Sequence, residues 1–255
     1  MAHELNISVV IPALNEQATV AHVVEAVSHD VPFEVLVIDA DSTDATAREA
    51  AAAGARVVNW RDILPDVSPR PGKGESLWRG VAAAQGDIVV FVDADLKSAA
   101  PGLVNTLVAP FQTSHSVAMV KANYRRSFQG KPHGGGRVTE LTAKPLLRRY
   151  FPELDHIEQP LGGEYAIKRD VALGLEFVGG YGVEVGLLID VAKAHGSQSI
   201  TQVDVGTRVH RNRPLSELAP MAQIVTDTIL SRAQLHQVHQ HRLDIELRPP
   251  LRGII

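Results

Sequence analysis

The sequence predicts an α/β fold: a doubly wound sheet, a smaller C-terminal region and a long C-terminal helix. Short apolar runs of strand length alternate with stretches of helical spacing through the first hundred residues. Those runs are apolar at successive positions, which marks a parallel sheet covered on both faces. A polar cluster follows each run, where sheets of this kind hold their ligands. The chain has 255 residues, 45% of them hydrophobic, enough to bury the core such a fold requires.

The elements follow in order. Ile7 to Ile11 is a β-branched strand ending at Pro12, and Glu16 to Val27 has helical spacing. Glu34 to Ile38 is a second strand closing on Asp39-Ala40-Asp41-Ser42. Thr43 to Ala53 is an alanine-rich helix that Gly54 stops. Arg56 to Trp60 reads as a third strand and Glu75 to Ala84 as a helix. After Gly86-Asp87, Ile88 to Val92 is a fourth strand. Further on, Val117 to Lys121, Glu164 to Ile167 and Ile200 to Val209 read as strands. Val138 to Tyr150 and Val183 to Ala194 read as helices, and Leu215 to about His241 as the long terminal one. A soft boundary between Val117 and Gly134 suggests two halves, residues 1–120 and 121–255.

Charge and composition exclude several classes. With 25 Lys and Arg against 29 Asp and Glu, the net charge of −4 offers nothing to nucleic acid or an anionic membrane. Cysteine is absent, which excludes disulfides and thiolate zinc. Neither a signal peptide nor a run of 18 apolar residues is seen, so a cytoplasmic enzyme without a membrane span is expected.

Four clusters carry chemistry. Asp93-Ala94-Asp95 follows the fourth strand directly. Two carboxylates there suit a hard divalent ion, Mg²⁺ or Mn²⁺, bridging to phosphate; alternatively they cap the helix that begins near Pro101. Arg70-Pro71-Gly72-Lys73-Gly74-Glu75-Ser76 reads as a tight turn with exposed amides and a lysine that reaches a phosphate or a sugar. It lacks the earlier glycine of a Walker loop. In Pro12-Ala13-Leu14-Asn15-Glu16, Asn15 suits a helix cap and Glu16 a ribose or base edge. In Asp39 to Asp44, Asp41 or Ser42 suits a cap, while Asp39 sits where a nucleoside would bind.

Pro12 to Glu16, Val37 to Thr46, Pro71 to Trp78 and Gly86 to Leu96 together resemble the GT-A fold glycosyltransferases, whose doubly wound domain binds a nucleotide sugar through an Asp-x-Asp motif. Four further blocks resemble glucosyl-3-phosphoglycerate synthases and the related mannosyl-3-phosphoglycerate synthases. They are His133 to Glu140, Gln159 to Tyr165, Gly180 to Gly186 and His210 to Pro214. The resemblance implies a retaining, metal-dependent transfer of glucose from a nucleoside diphosphate sugar, UDP-glucose favoured, to the hydroxyl of 3-phosphoglycerate. It also implies a homodimer. By resemblance Asp95, Lys73 and Glu184 are catalytic, and Asp95 and His210 hold the metal. Pro12, Ala13, Leu14, Glu16, Asp39, Lys73, Asp93, Ala94, Leu161, Tyr181 and Glu184 bind the donor. Gly136, Arg137, Thr139 and Asn212 bind the acceptor. Residue chemistry supports the acceptor set: three glycines before a helix leave amides open to an anion, and Arg137 and Thr139 add donors. Glu184 also suits the helix dipole alone.

Two positions depart from the pattern: Asp41 stands where relatives carry glycine, and Gly162 where the glucosyl enzymes carry serine. They leave uridine against guanosine, and glucose against mannose, open. Rival readings are a GDP-mannose-dependent synthase, a polyprenyl-phosphate sugar transferase, a nucleotidyltransferase and a nucleotide-sugar sensor without catalysis. The polyprenyl enzyme would be expected to carry membrane-binding apolar segments. The nucleotidyltransferase would want a glycine-rich, arginine-bearing loop after the first strand.

Overall fold

A computed structural model describes residues 5–127, 136–209, 215–234 and 246–255. In chain order the strands are β1 (Ile7–Ala13), β2 (Glu34–Asp39), β3 (Arg56–Asn59), β4 (Ile88–Phe91), β5 (Met119–Ser127), β6 (Tyr165–Lys168), β7 (Phe177–Val178), β8 (Ile200–Val209) and β9 (Leu247–Arg248). The helices are α1 (Val20–Ser28), α2 (Thr46–Ala52), α3 (Lys73–Ala83), α4 (Leu103–Thr113), α5 (Lys144–Tyr150), α6 (Arg169–Ala172), α7 (Val183–His195) and α8 (Leu215–Arg232).

Seven strands form one sheet in the order β3-β2-β1-β4-β6-β5-β8. The first four are mutually parallel, as the unbroken apolar runs predict. Successive side chains of a strand alternate between faces, and both faces are covered. Val10, Leu36, Ile38, Val89 and Phe91 pack in one layer with Leu77, Trp78 and Val81 of α3 and with α7. Val9, Ile11, Val37, Ile88 and Val90 pack in the other with α1 and α4.

The structure corrects the sequence reading in several places. β6 runs antiparallel to both neighbours, β4 and β5, so the sheet is mixed. α1 begins at Val20, not Glu16, because Asn15 takes a left-handed φ of 56° and residues 16–19 turn first. Asn15 does not cap α1. Its amide instead donates to Ser42 Oγ at 3.0 Å, and its Oδ1 accepts from the Thr43 amide at 2.9 Å. α2 begins at Thr46, whose amide donates to Asp44 Oδ1 at 2.9 Å, so neither Asp41 nor Ser42 is its cap. β3 stops at Asn59, whose side chain accepts from the Arg61 amide at 2.9 Å and starts a short 3₁₀ turn.

A π-helical turn, Thr139–Ala143, precedes α5, and such turns gather at functional sites. α8 ends at Arg232, short of the expected His241; His236, His239 and His241 lie outside the described residues. A second small sheet, β7 with β9, was not expected. The division at residues 120 and 121 falls inside β5, so the large sheet runs through both halves.

Candidate active site

A cavity of about 600 Å³ opens where β1 and β4 end. The loop after β1 contributes Pro12, Ala13, Leu14 and Glu16; Ala40 follows β2 and Trp60 follows β3. Asp93, Ala94 and Asp95 come from the end of β4. This is the crevice expected at the carboxyl ends of parallel strands. Leu161, Gly163 and Glu164 arrive from the opposite direction, just before the reversed strand β6.

Lys73 is the first residue of α3 and ties the site together. Its Nζ lies 2.5 Å from Asp93 Oδ1 and 2.7 Å from Glu184 Oε1. Burial pulls the ammonium pKa down, but Asp93 and Glu184 outweigh it and hold the pKa well above the ordinary lysine value. Glu184 is buried in the first turn of α7, so it combines the dipole position with an ion pair at the cavity. Pro71, Gly72 and Lys73 of the glycine turn line the cavity, and the flanking glycines also have a packing role. A Cβ on Gly74 would sit 1.9 Å from the Val178 carbonyl oxygen, and one on Gly72 would sit 2.7 Å from the Gly180 amide nitrogen. Gly72 also has a φ of +117°, which side-chain-bearing residues rarely adopt.

The reading of Asp93 and Asp95 as caps for the helix near Pro101 does not hold. The amides of Gly102 and Val104 donate to Asp30 at 2.7 and 2.8 Å, so a carboxylate from the end of α1 caps α4. Asp93 is fixed from both sides: Lys73 bonds it, and a Cβ on Gly163 would come within 2.2 Å of its Oδ2. Two carboxylates at this strand end are a hard-oxygen donor set, which fits a divalent ion that also takes phosphate oxygens. Among the described residues, no three of His, Cys, Asp and Glu converge as an ion cage. His210, the further ligand implied by resemblance, follows the last residue of β8 and lies outside the described residues, as does Asn212.

Other expected residues adjoin the lining of the cavity. Asp39 is buried and accepts from the Ser42 amide at 3.3 Å, while the neighbouring Ala40 lines the cavity. Gly136, Arg137 and Thr139 are not among the lining residues; Val138, between them, is. Gly136 has a φ of 74°, and Gly134 and Gly135 lie outside the described residues. Asp41 also takes a left-handed φ, 62°, which explains why glycine suits that position. Its carboxyl meets Arg61 at 2.6 Å and Asn59 at 3.1 Å. The Arg61 guanidinium hydrogen-bonded to it lowers the Asp41 pKa to about 2. At Gly162 a Cβ would lie 3.2 Å from the Tyr124 hydroxyl oxygen, so a larger residue needs Tyr124 or Gln159 to give way slightly.

Sequence reasoning missed two buried groups. Lys121 is fully buried; its Nζ donates to the Gly162 carbonyl at 2.7 Å and lies 4.4 Å from the Tyr165 ring centre. Burial lowers its pKa to about 8, against Glu184 and Glu164, which raise it. Glu164 lines the cavity, and its Oε2 is buried without a hydrogen-bond partner among the described residues. Burial, then the Asp93 carboxylate, push its carboxyl up to about 7 against Arg208 and Lys73. Alternation along β5, once β6 is known to lie beside it, would have turned Lys121 inward.

The sequence model of glycosyl transferase family 2 matches residues 8–166. Glucosyl-3-phosphoglycerate synthase of Mycobacterium tuberculosis (strain ATCC 25618 / H37Rv) is 50% identical over 236 residues, covering 89% of this chain and 73% of that protein. The Petrotoga mobilis protein of the same name is 42% identical over 241 residues, covering 91% of this chain and 74% of that one. A crystal structure of the M. tuberculosis synthase with Mn²⁺, UDP-glucose and phosphoglyceric acid superposes with a TM-score of 0.89 at 44% identity, covering 98% of this chain and 91% of that one. Its complex with Mn²⁺, UDP and glucosyl-3-phosphoglycerate gives a TM-score of 0.90 at 44% identity, covering 98% and 92%.

Proposed function

The chain belongs to glycosyl transferase family 2, among its glucosyl-3-phosphoglycerate synthases, and from that premise we propose that it transfers glucose from UDP-glucose to the hydroxyl of 3-phosphoglycerate. The observation that carries the reading is Lys73, shared by Asp93 and Glu184 inside the cavity that Asp95 also lines. The donor half, residues 1–120, supplies the nucleoside contacts: Pro12, Ala13, Leu14, Glu16 and Asp39. Asp93 and Ala94 lie by the ribose and diphosphate, and Leu161, Tyr181 and Glu184 by the hexose. The acceptor half, residues 121–255, supplies Gly136, Arg137, Thr139 and Asn212 for the phosphate and carboxylate of the acid. Arg137→Ala should raise the KM for 3-phosphoglycerate more than that for UDP-glucose in steady-state assays. Equal effects would remove Arg137 from the acceptor site.

Lys73, positively charged at neutral pH, opposes the charge that grows on the departing diphosphate. Its two carboxylate partners hold the ammonium in place, so little reorganisation accompanies the step. Asp95 and His210 would hold a Mg²⁺ or Mn²⁺ ion, which when bound neutralises diphosphate charge as a Lewis acid. Retention follows from attack on the same face that the diphosphate leaves. The acceptor oxygen bonds to the anomeric carbon, the bond to the diphosphate breaks, and a diphosphate oxygen takes the hydroxyl proton. A protein nucleophile is disfavoured here. Glu184 is engaged by Lys73, and burial pushes the Glu164 carboxyl up to about 7, away from the fully ionised form a nucleophile needs.

Among the described residues no helix is long and apolar enough to cross a membrane. A homodimer and a cytoplasmic setting complete the proposal, and light scattering near twice 27.5 kDa would support the dimer. The deciding experiment offers UDP-glucose, GDP-glucose and GDP-mannose against 3-phosphoglycerate and glycerate, with Mg²⁺ or Mn²⁺. UDP-glucose with 3-phosphoglycerate should give an α-linked product by NMR. Preference for GDP-mannose, or full turnover by Asp95→Ala in chelator, would overturn the reading.

A further inference from the structure

Residues 246–255 received no role from the sequence, yet they pack directly behind the Lys73 end of the site. β9 pairs antiparallel with β7, Leu247 opposite Val178 and Arg248 opposite Phe177. The Gly179 amide donates to the Glu246 carbonyl at 2.9 Å, and the Trp78 indole N–H donates to the Pro249 carbonyl at 2.9 Å. Arg70 reaches the Leu247 carbonyl at 2.9 Å, and Leu251 is fully buried. Arg248 is the anchor. Its guanidinium forms two bonds to Glu75, at 2.5 and 2.8 Å, and a third to the Ser68 carbonyl at 2.6 Å. Glu75 also accepts from Arg79 Nε at 2.7 Å. All three charged side chains are more than nine-tenths buried.

A buried group of two arginines and one carboxylate is a poor source of stability, because each charge loses its hydration. What bidentate pairing supplies is a fixed geometry. Glu75 stands two residues beyond Lys73 on the first turn of α3. The same strap pairs with Val178 and Gly179, on which the glycines beside Lys73 rest and beyond which Tyr181 and Glu184 follow. The strap therefore bonds at once to the element carrying Lys73 and to the segment leading to Glu184.

We propose that residues 246–255, anchored by Arg248 on Glu75, set the position of Lys73 against Glu184, making Arg248 a positioning residue for sugar transfer. The inference rests on the glucosyl-transfer reading. The proposed nucleoside contacts sit at the ends of β1 and β2, so losing the anchor should disturb the diphosphate and hexose end and spare the nucleoside.

The test compares Arg248→Met and Arg248→Lys in the full chain with Val24→Ala, a core change under the opposite face of the sheet. Arg248→Met should lower kcat on UDP-glucose about tenfold or more, the scale expected of a small misplacement. Affinity for UMP, which lacks the leaving phosphate that Lys73 faces, should stay within about twofold by calorimetry, since the nucleoside contacts survive. Arg248→Lys should recover part of kcat. Val24→Ala should lower the melting temperature without this split when assayed well below it. The proposal is overturned if Arg248→Met keeps full kcat, if kcat and UMP affinity fall together, or if it behaves as Val24→Ala does. Should Arg248→Met fail to fold, Arg248→Lys carries the same comparison. A native chain that makes no glucosylated product defeats the functional reading, whereas an active native chain with an indifferent Arg248 defeats the strap alone.

Discussion

At Glu164 a carboxyl oxygen is buried without a partner among the described residues, and the folded pKa of about 7 exceeds the ordinary 4.5. Between those values the unfolded chain gives up its proton while the folded chain keeps it, so stability falls as pH rises through that window. Glu164→Gln removes the penalty. In metal-free buffer its melting temperature relative to the native protein should therefore be higher at pH 8 than at pH 5. A difference that does not change with pH would show that Glu164 titrates normally. Lys73, Asp93 and Glu184 were legible in the sequence because each lies in a block that resembles the family and takes a role from it. Asp93 also closes a buried strand, where such sheets hold their ligands. Glu164 and Lys121 were not. Each is polar only by identity, and its burial depends on which strands become neighbours.

Among the elements, α3 shows how helix and site are joined. Glycine to alanine inside a helix ordinarily stabilises by about 0.5–1 kcal/mol. At Gly74 the added Cβ meets the Val178 carbonyl at 1.9 Å, and at Gly80 it would meet Val10 Cγ1 at 2.4 Å. Gly74→Ala should therefore destabilise, by about 1–3 kcal/mol as overpacking does, and should weaken turnover because Lys73 is adjacent. A chemical-denaturation midpoint equal to or above the native value would refute the close packing. The first four strands were read correctly because their apolar runs are local. The starts of α1 and α2 were misplaced because Asn15, Ser42, Thr43 and Asp44 bond between the two loops, a pairing that no single segment encodes. The short β7–β9 pair joins residues some seventy positions apart and left no periodicity to find.

Across the whole molecule one sheet carries both halves, with β5 and β8 continuing from β6 and β4. The donor and acceptor regions should consequently melt as a single unit. UDP with Mn²⁺ should move one calorimetric transition to higher temperature, stability rising by about 2.7 kcal/mol at a hundred times Kd. Two transitions, only one responding to UDP, would show the halves to be independent. The doubly wound order was visible in the alternation of runs and helices, whereas the reversal of β6 was hidden, since four residues of apolar sequence carry no direction.

That reversal has a consequence for how the enzyme can change. Glu164 is the residue immediately before β6, and its carbonyl is paired with the Ala122 amide at 3.1 Å. Sliding β6 by one residue would carry Gly163 and Glu164 about 3.3 Å along the strand and exchange its inner and outer side chains. Catalytic alignment and strand alignment are thus a single property, and drift in either one is exposed to selection through the other.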